Sequence, residues 1–377
     1  MTPQIAALIQ GPKTREVVDA FIAGNTFPIV WGSSCTFVWR GDAEAVHLKH
    51  WVFGLPSSQQ LLRIEGTDIF HLTLKLPEGS RVEYKLEVVR NGHGEWVQDP
   101  LNHYRARDPF GANSVAQATG YEVPSWIHPD PTAAQGHVDE IWIDSNTFGR
   151  RGFGLYIPAR FQRSRTYPVV IVHDGHDYMR YASLKTILDN LIDRLEIADA
   201  IFVLTSSPDR LTEYPDNERH AKFVTEELVP YVQRLLPISD QPQGRCLMGA
   251  SFGAVASLST AMRYPGVYGR LLLQSGSFAF TDIGDRNHRG PIFDSVVAMI
   301  NRYRAEPTVV SEKVFVSVGM YESLIYENRS LVPVLMSTGM DVRYIEARDG
   351  HNWENWRDRL RDGLSWLLPG PFLHVYE

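Results

Sequence analysis

Three hydrophobic patterns follow one another along the chain. Residues 1 to about 24 place apolar side chains at Ile5, Leu8, Val17, Val18, Phe21 and Ile22, a helical spacing that predicts one or two short helices ending near Gly24. From Phe27 to about Val123 the period falls to two. Cys35 to Trp39, Ala45 to Leu48, Ile69 to Leu74 and Arg81 to Val88 alternate or are rich in β-branched residues, with Gly, Asp, Asn and Pro between them. This predicts an antiparallel β-sandwich over residues 25–125. Pro124, Pro129 and Pro131 mark 126–136 as a linker. Beyond it, Tyr167 to Val172 and Ala200 to Leu204 are almost continuously apolar, as strands buried on both faces of a parallel sheet must be. Segments 182–196, 219–236, 252–264, 291–304 and 327–338 carry helical spacing between such strands, so residues 137–377 are expected to form a doubly wound α/β domain.

Composition narrows the classes. With 377 residues, two domains can each bury a core, and 44% apolar against 21% charged residues describes a globular chain. The net charge of -7 includes no Lys/Arg block, which argues against nucleic acid or an anionic membrane surface as partner. No run of about 18 apolar residues predicts a membrane span, and the N-terminus lacks the basic start and apolar stretch of a secretory signal. A cytoplasmic protein is expected. Cys35 and Cys246 have no zinc-like or redox spacing and are expected to be buried small hydrophobes.

Candidate chemistry centres on Gly249-Ala250-Ser251-Phe252-Gly253. The apolar stretch Arg245 to Met248 precedes it and the small-residue segment Ala254 to Leu258 follows, so strand, tight turn and helix come in the order that an exposed nucleophilic serine requires. Glycines two residues to either side let strand and helix approach. The pattern predicts the nucleophile turn of a serine hydrolase of the α/β-hydrolase fold. A serine hydroxyl is a weak nucleophile and needs a base oriented by a third group. The base is expected late in the chain, and His351 lies between the strand Val342 to Glu346 and the helix from about Trp356 to Leu367. His374 falls in a tail after Pro369-Gly370-Pro371. The orienting acid is expected after the strand Lys313 to Val318, at Glu322, with Asp349 as the alternative.

Two backbone N–H groups should face the developing oxyanion: that of Phe252, and one from the loop His173-Asp174-Gly175-His176-Asp177-Tyr178, with His176 first. Asp177, Tyr178, Arg210, Tyr214 and Trp353 are candidate substrate contacts. Arg210 could clamp an anionic or hydroxylated group, or pair with Glu213 and fix its own loop. Tyr178, Tyr214, Phe278, Tyr321 and Trp353 gather on these loops and hint at an aromatic or cyclic ligand. The histidines beside aspartates at 173–177 need no metal, and no cofactor is expected.

The residues together resemble the enterochelin (ferric enterobactin) esterases and the wider esterase D-like group with feruloyl and acetyl-xylan esterases. In the N-terminal half the resemblance lies in Arg81 to Lys85, Asp99-Pro100-Leu101-Asn102 and Phe110 to Ser114. In the C-terminal half it lies in His173-Asp174-Gly175, Glu227 to Pro230, Gly249 to Gly253, Gly319 to Glu322 with Asn328, and Gly350 to Trp353 with Trp356-Arg357. It implies an immunoglobulin-like N-terminal domain and ester hydrolysis through an acyl-enzyme: Ser251 nucleophile, His351 base, Glu322 acid, oxyanion donors at Phe252 and in the 173–178 loop. A siderophore lactone or an aromatic ester is the implied substrate class. The same triad would serve a feruloyl- or acetyl-xylan-type esterase or an acyltransferase, and a non-catalytic carbohydrate-binding protein is a further reading.

Overall fold

The computed structural model describes residues 1–281 and 290–371, so His374 lies outside the described residues. The chain divides into two compact units: Met1–Val123 with Gly319–Ser323 and Ala347–Asn352, and Pro124–Val318 with Leu324–Glu346 and Trp353–Glu377.

In the first unit two short helices, Pro3–Gln10 and Arg15–Ala23, precede the strands. Thr14 caps the second by accepting from the N–H of Val17, and both lay Ile5, Leu8 and Val18 against Val38, Ile64 and Ile69. The rest is all-β. One sheet has the order Ile29–Trp31, Ser34–Arg40, Ile69–Lys75, Leu62–Arg63. The other runs Ser58–Gln60, Ala45–His50, Arg81–Arg90, Gly111–Gln117, Arg105–Asp108, with His93–Val97 also paired to Arg81–Arg90. Alternation decides what meets: Phe37 and Phe70 from one sheet join Leu48, Val82, Tyr84 and Leu86 from the other in a single apolar cluster. Each such side chain contributes about 1.5–3 kcal/mol by leaving water. Arg81 and Glu83, out of phase with Val82 and Tyr84, point from the opposite face of their strand.

In the second unit an eight-stranded sheet has the order His137–Ser145, Gly149–Ile157, Ile201–Leu204, Val169–Val172, Arg245–Ala250, Arg270–Gln274, Lys313–Gly319, Asp341–Ala347. The five strands from Ile201–Leu204 through Lys313–Gly319 pair in parallel, while the first two form an antiparallel hairpin. Val169, Ile171, Leu247 and Leu273 feed one apolar cluster; Val170, Val172, Met248 and Leu272 feed the other. A sheet covered on both faces explains why its strands read as continuous apolar runs. The sheet is thus the mostly parallel α/β sheet expected, preceded by β structure.

The segment expected to be a linker packs within this second unit. Asn190 donates to the carbonyls of Trp126 and His128, and the N–H of Gly136 donates to Asp189. Cys35 and Cys246 are both buried, and burial pushes each thiol up to about 12. No helix among the described residues is long and apolar enough to cross a membrane.

Candidate active site

Ser251 ends the strand Arg245–Ala250 and precedes the helix Phe252–Arg263 with φ +57° and ψ -121°. A non-glycine residue at positive φ is strained, and the surrounding packing holds it there. A Cβ on Gly249 would lie 2.4 Å from the backbone carbon and oxygen of Gly253, so strand and helix close to this distance only with glycine. The N–H of Ser251 donates to the carbonyl of Gln274 at 2.9 Å, and its Oγ lies 3.1 Å from Oγ of Ser277, whose own N–H donates to the Ser251 carbonyl. Ser277 escaped sequence reasoning: nothing in Gln274-Ser275-Gly276-Ser277 distinguishes one serine from the other.

The 173–178 segment is a helix start and not a loop. Asp174 takes a left-handed conformation, φ 57°, and the helix Gly175–Tyr181 begins at once. Gly175 is obligatory there, because its Cβ would meet the backbone of Leu204 at 2.4 Å. His176 and Phe252 therefore both lie in the first turn of a helix, where N–H groups lack intrahelical acceptors. A Cβ on Gly253 would lie 3.2 Å from Cβ of His173, which places the two helix starts side by side. The His176 ring turns away from this place: Nε2 meets Glu140 at 3.2 Å.

Beneath them lies a buried polar chain that the sequence did not reveal. His173 Nε2 lies 3.0 Å from His220 Nε2, and His173 Nδ1 lies 3.0 Å from Ser257 Oγ. Burial drives His173 down to about 4 and His220 well below its ordinary value, so both are neutral at physiological pH.

The His351 imidazole accepts or donates through Nδ1 to Oε2 of Glu322, a side chain only 1% exposed. The other oxygen, Oε1, accepts from the N–H of Gly319 at 2.6 Å. Glu322 thus meets both an imidazole and a backbone donor. Asp349 points elsewhere: it takes Nη1 of Arg81 at 3.1 and 3.2 Å, Nδ2 of Asn352 and the N–H of Gly350. Burial raises its carboxyl to about 6 against the opposing charge of Arg81.

Several residues expected at a substrate surface are placed otherwise. Tyr178 is fully buried with its hydroxyl donating to Gln274 Oε1, and Trp353 packs edge-on to it at 5.2 Å. Tyr214 is also fully buried, its hydroxyl accepting from the N–H of Asp174. Phe278 is core. These aromatics fill space in the interior, where burial outweighs a role at the surface. Arg210 does not pair with Glu213: its Nε donates to Asp174 Oδ2 at 2.8 Å, and Glu213 takes Arg151 at 2.6 Å. The guanidinium also lies over the rings of Tyr214 and Phe252, so its charge is already matched. Asp177 is half-buried, and burial raises its carboxyl.

A largely parallel sheet with helices on both faces, and a serine at positive φ on its strand-to-helix turn, define an α/β-hydrolase-like fold. The chain belongs to an esterase family: residues 145–367 match the one described as "Putative esterase". The iron(III) enterobactin esterase of Dickeya dadantii is 26% identical over 352 residues, covering 83% of this chain and 80% of that protein. The enterobactin esterase of Shigella flexneri, solved in the presence of enterobactin, superposes with a TM-score of 0.71 at 21% identity, over 89% of this chain and 92% of that one. A ferulic acid esterase matches with a TM-score of 0.54 at 19% identity, over 62% of this chain and 98% of its own. The protein is an esterase.

Proposed function

We propose that the protein is a serine carboxylic-ester hydrolase working through an acyl-enzyme. Ser251 is the nucleophile, His351 its general base and Glu322 the group that orients the imidazole. The bond between His351 Nδ1 and the buried Glu322 carboxylate carries this reading, because it fixes the ring nitrogen roles that a base needs. Nε2 then takes the proton of the Ser251 hydroxyl as Oγ attacks the ester carbonyl. The N–H groups of Phe252 and His176 meet the oxyanion of the tetrahedral intermediate. When it collapses, the imidazolium gives its proton to the departing alkoxide, leaving an acyl-serine. Water, deprotonated by the same imidazole, releases the acid and restores Oγ–H.

For substrate we propose a siderophore lactone or a related aromatic ester, with the N-terminal β unit being of the immunoglobulin-like type. Support comes from extent: the iron(III) enterobactin esterases of Dickeya dadantii and Escherichia coli K12 match over 83% and 87% of the chain, so over both of its parts. Turnover of p-nitrophenyl acetate by wild type and not by Ser251→Ala tests the chemistry; equal rates would remove Ser251 from it. Hydrolysis of enterobactin, compared with feruloyl and acetyl esters, tests the substrate, and preference for the simple esters would overturn the lactone.

A further inference from the structure

We infer that Arg81 is a positioning residue for the catalytic base, an assignment that rests on the reading of His351 given above. Arg81 opens the strand Arg81–Arg90, more than two hundred residues before the base, and its side chain is 0% exposed. Its Nη1 donates to Asp349 Oδ1 and Oδ2 and, at 3.1 Å, to Asn352 Oδ1. Its Nη2 donates to Glu83 Oε1 at 3.0 Å, and its backbone N–H donates to the carbonyl of Arg348 at 2.9 Å. One residue therefore holds positions 348, 349 and 352, on both sides of His351. Glu83 is itself fixed from the far side by Asn113 Nδ2 at 2.8 Å.

The neighbouring residue extends the same scaffold to the acid. Ser80 Oγ meets the hydroxyl of Tyr321 at 2.5 Å, and the Tyr321 carbonyl accepts from the N–H of Phe53 at 2.7 Å. The two segments are also tied to each other: the N–H of Tyr321 donates to the Asp349 carbonyl and that of Met320 to the Ala347 carbonyl. Consecutive residues of one strand start thus secure the backbone carrying Glu322 and the backbone carrying His351. Stability alone is a poor reason for such an arrangement, because buried ion pairs are often replaced by apolar groups without loss. Geometry is a better one. A planar guanidinium aims several donors in fixed directions, which an ammonium cannot do. His351, with a side chain 36% exposed on a short loop, owes its setting to these bonds as well as to Glu322.

The test uses the full chain and p-nitrophenyl acetate, with Arg81→Met, Arg81→Lys and the double variant Arg81→Met/Asp349→Leu, which leaves no lone buried carboxylate at 349. Misplacing a catalytic group by about 1 Å costs on the order of 100-fold. We expect Arg81→Met to lower kcat by about 10- to 100-fold with KM within about twofold, and Arg81→Lys to fall between it and wild type. The acid limb of the kcat/KM pH profile should shift in Arg81→Met. The double variant should recover part of the lost melting temperature, Glu83 keeping only Asn113, without recovering kcat. Wild-type kcat in Arg81→Met, or kcat returning together with stability in the double variant, would overturn the assignment. Should Arg81→Met fail to fold, Arg81→Lys decides: a reduced kcat at unchanged melting temperature supports it, and a full rate refutes it. Ser251→Ala measured alongside separates the two levels, since activity there removes the serine reading, while a silent Ser251→Ala with a fully active Arg81→Met removes only Arg81.

Discussion

The surroundings of Ser251 and those of His351 are built on different plans. Around the serine, constraint is local: two glycines within two residues, a strand before and a helix after, and a backbone angle that the turn itself demands. Around the histidine it is distant. Its partner Glu322 is 29 positions away, and the bonds flanking it come from Arg81, 268 positions before Asp349. A local device can be read as a motif, while a distant one becomes visible only when the chain is folded.

The sharpest way to break this comparison is to remove the proposed nucleophile and the proposed orienting acid separately. Ser251→Ala should lower kcat/KM by about 10⁴-fold or more. Glu322→Gln should leave the fold in place and cost about 10³- to 10⁴-fold, because the amide would favour the wrong imidazole tautomer. Loss of less than about tenfold in steady-state assays would show that Glu322 does not orient the base.

Gly249→Ala attacks the local plan directly. Its new Cβ would meet the backbone of Gly253 at 2.4 Å, and backbone cannot step aside as a flexible side chain can. A loss of about 2–4 kcal/mol in denaturant unfolding is expected.

The buried imidazoles provide a pH test of the same region. Well above its ordinary pKa, His173 is neutral both folded and unfolded, so it adds no pH dependence there. As pH falls towards about 4 the unfolded chain takes a proton that the folded one refuses. Stability should therefore decline across that window by up to about 3 kcal/mol, and His220 acts in the same direction. Unfolding curves at several pH values should show a shallower slope in His173→Asn; an unchanged slope would place the effect elsewhere.

Tyr321→Phe, the mildest change, removes the hydroxyl that meets Ser80 and should cost about 1 kcal/mol in thermal unfolding.

How much was legible follows from the same contrast. The α/β sheet was, because strands covered on both faces have little choice but continuous apolar sequence. The hairpin of His137–Ser145 with Gly149–Ile157 was not, since its edge strand alternates with Asp139, Glu140 and Asp144 and carries no such run. The helix Gly175–Tyr181 was hidden by the Asp-Gly that starts it, which reads as a turn. Tyr178, Tyr214 and Trp353, expected to face a substrate, are buried: sequence places an aromatic on a segment, and only packing says which way it faces. Arg210 taught the same lesson with charge: Glu213 is its neighbour in sequence, yet the guanidinium takes Asp174, 36 positions earlier.

The two cysteines carry a practical consequence. Both thiols sit away from water with pKa values of about 12, so almost no thiolate exists at neutral pH. Iodoacetamide or maleimide should leave the native esterase intact, whereas a fluorophosphonate aimed at a reactive hydroxyl should silence it. A cysteine introduced anywhere on the surface would then be the sole handle for a dye, ready for labelling without first removing the natural ones.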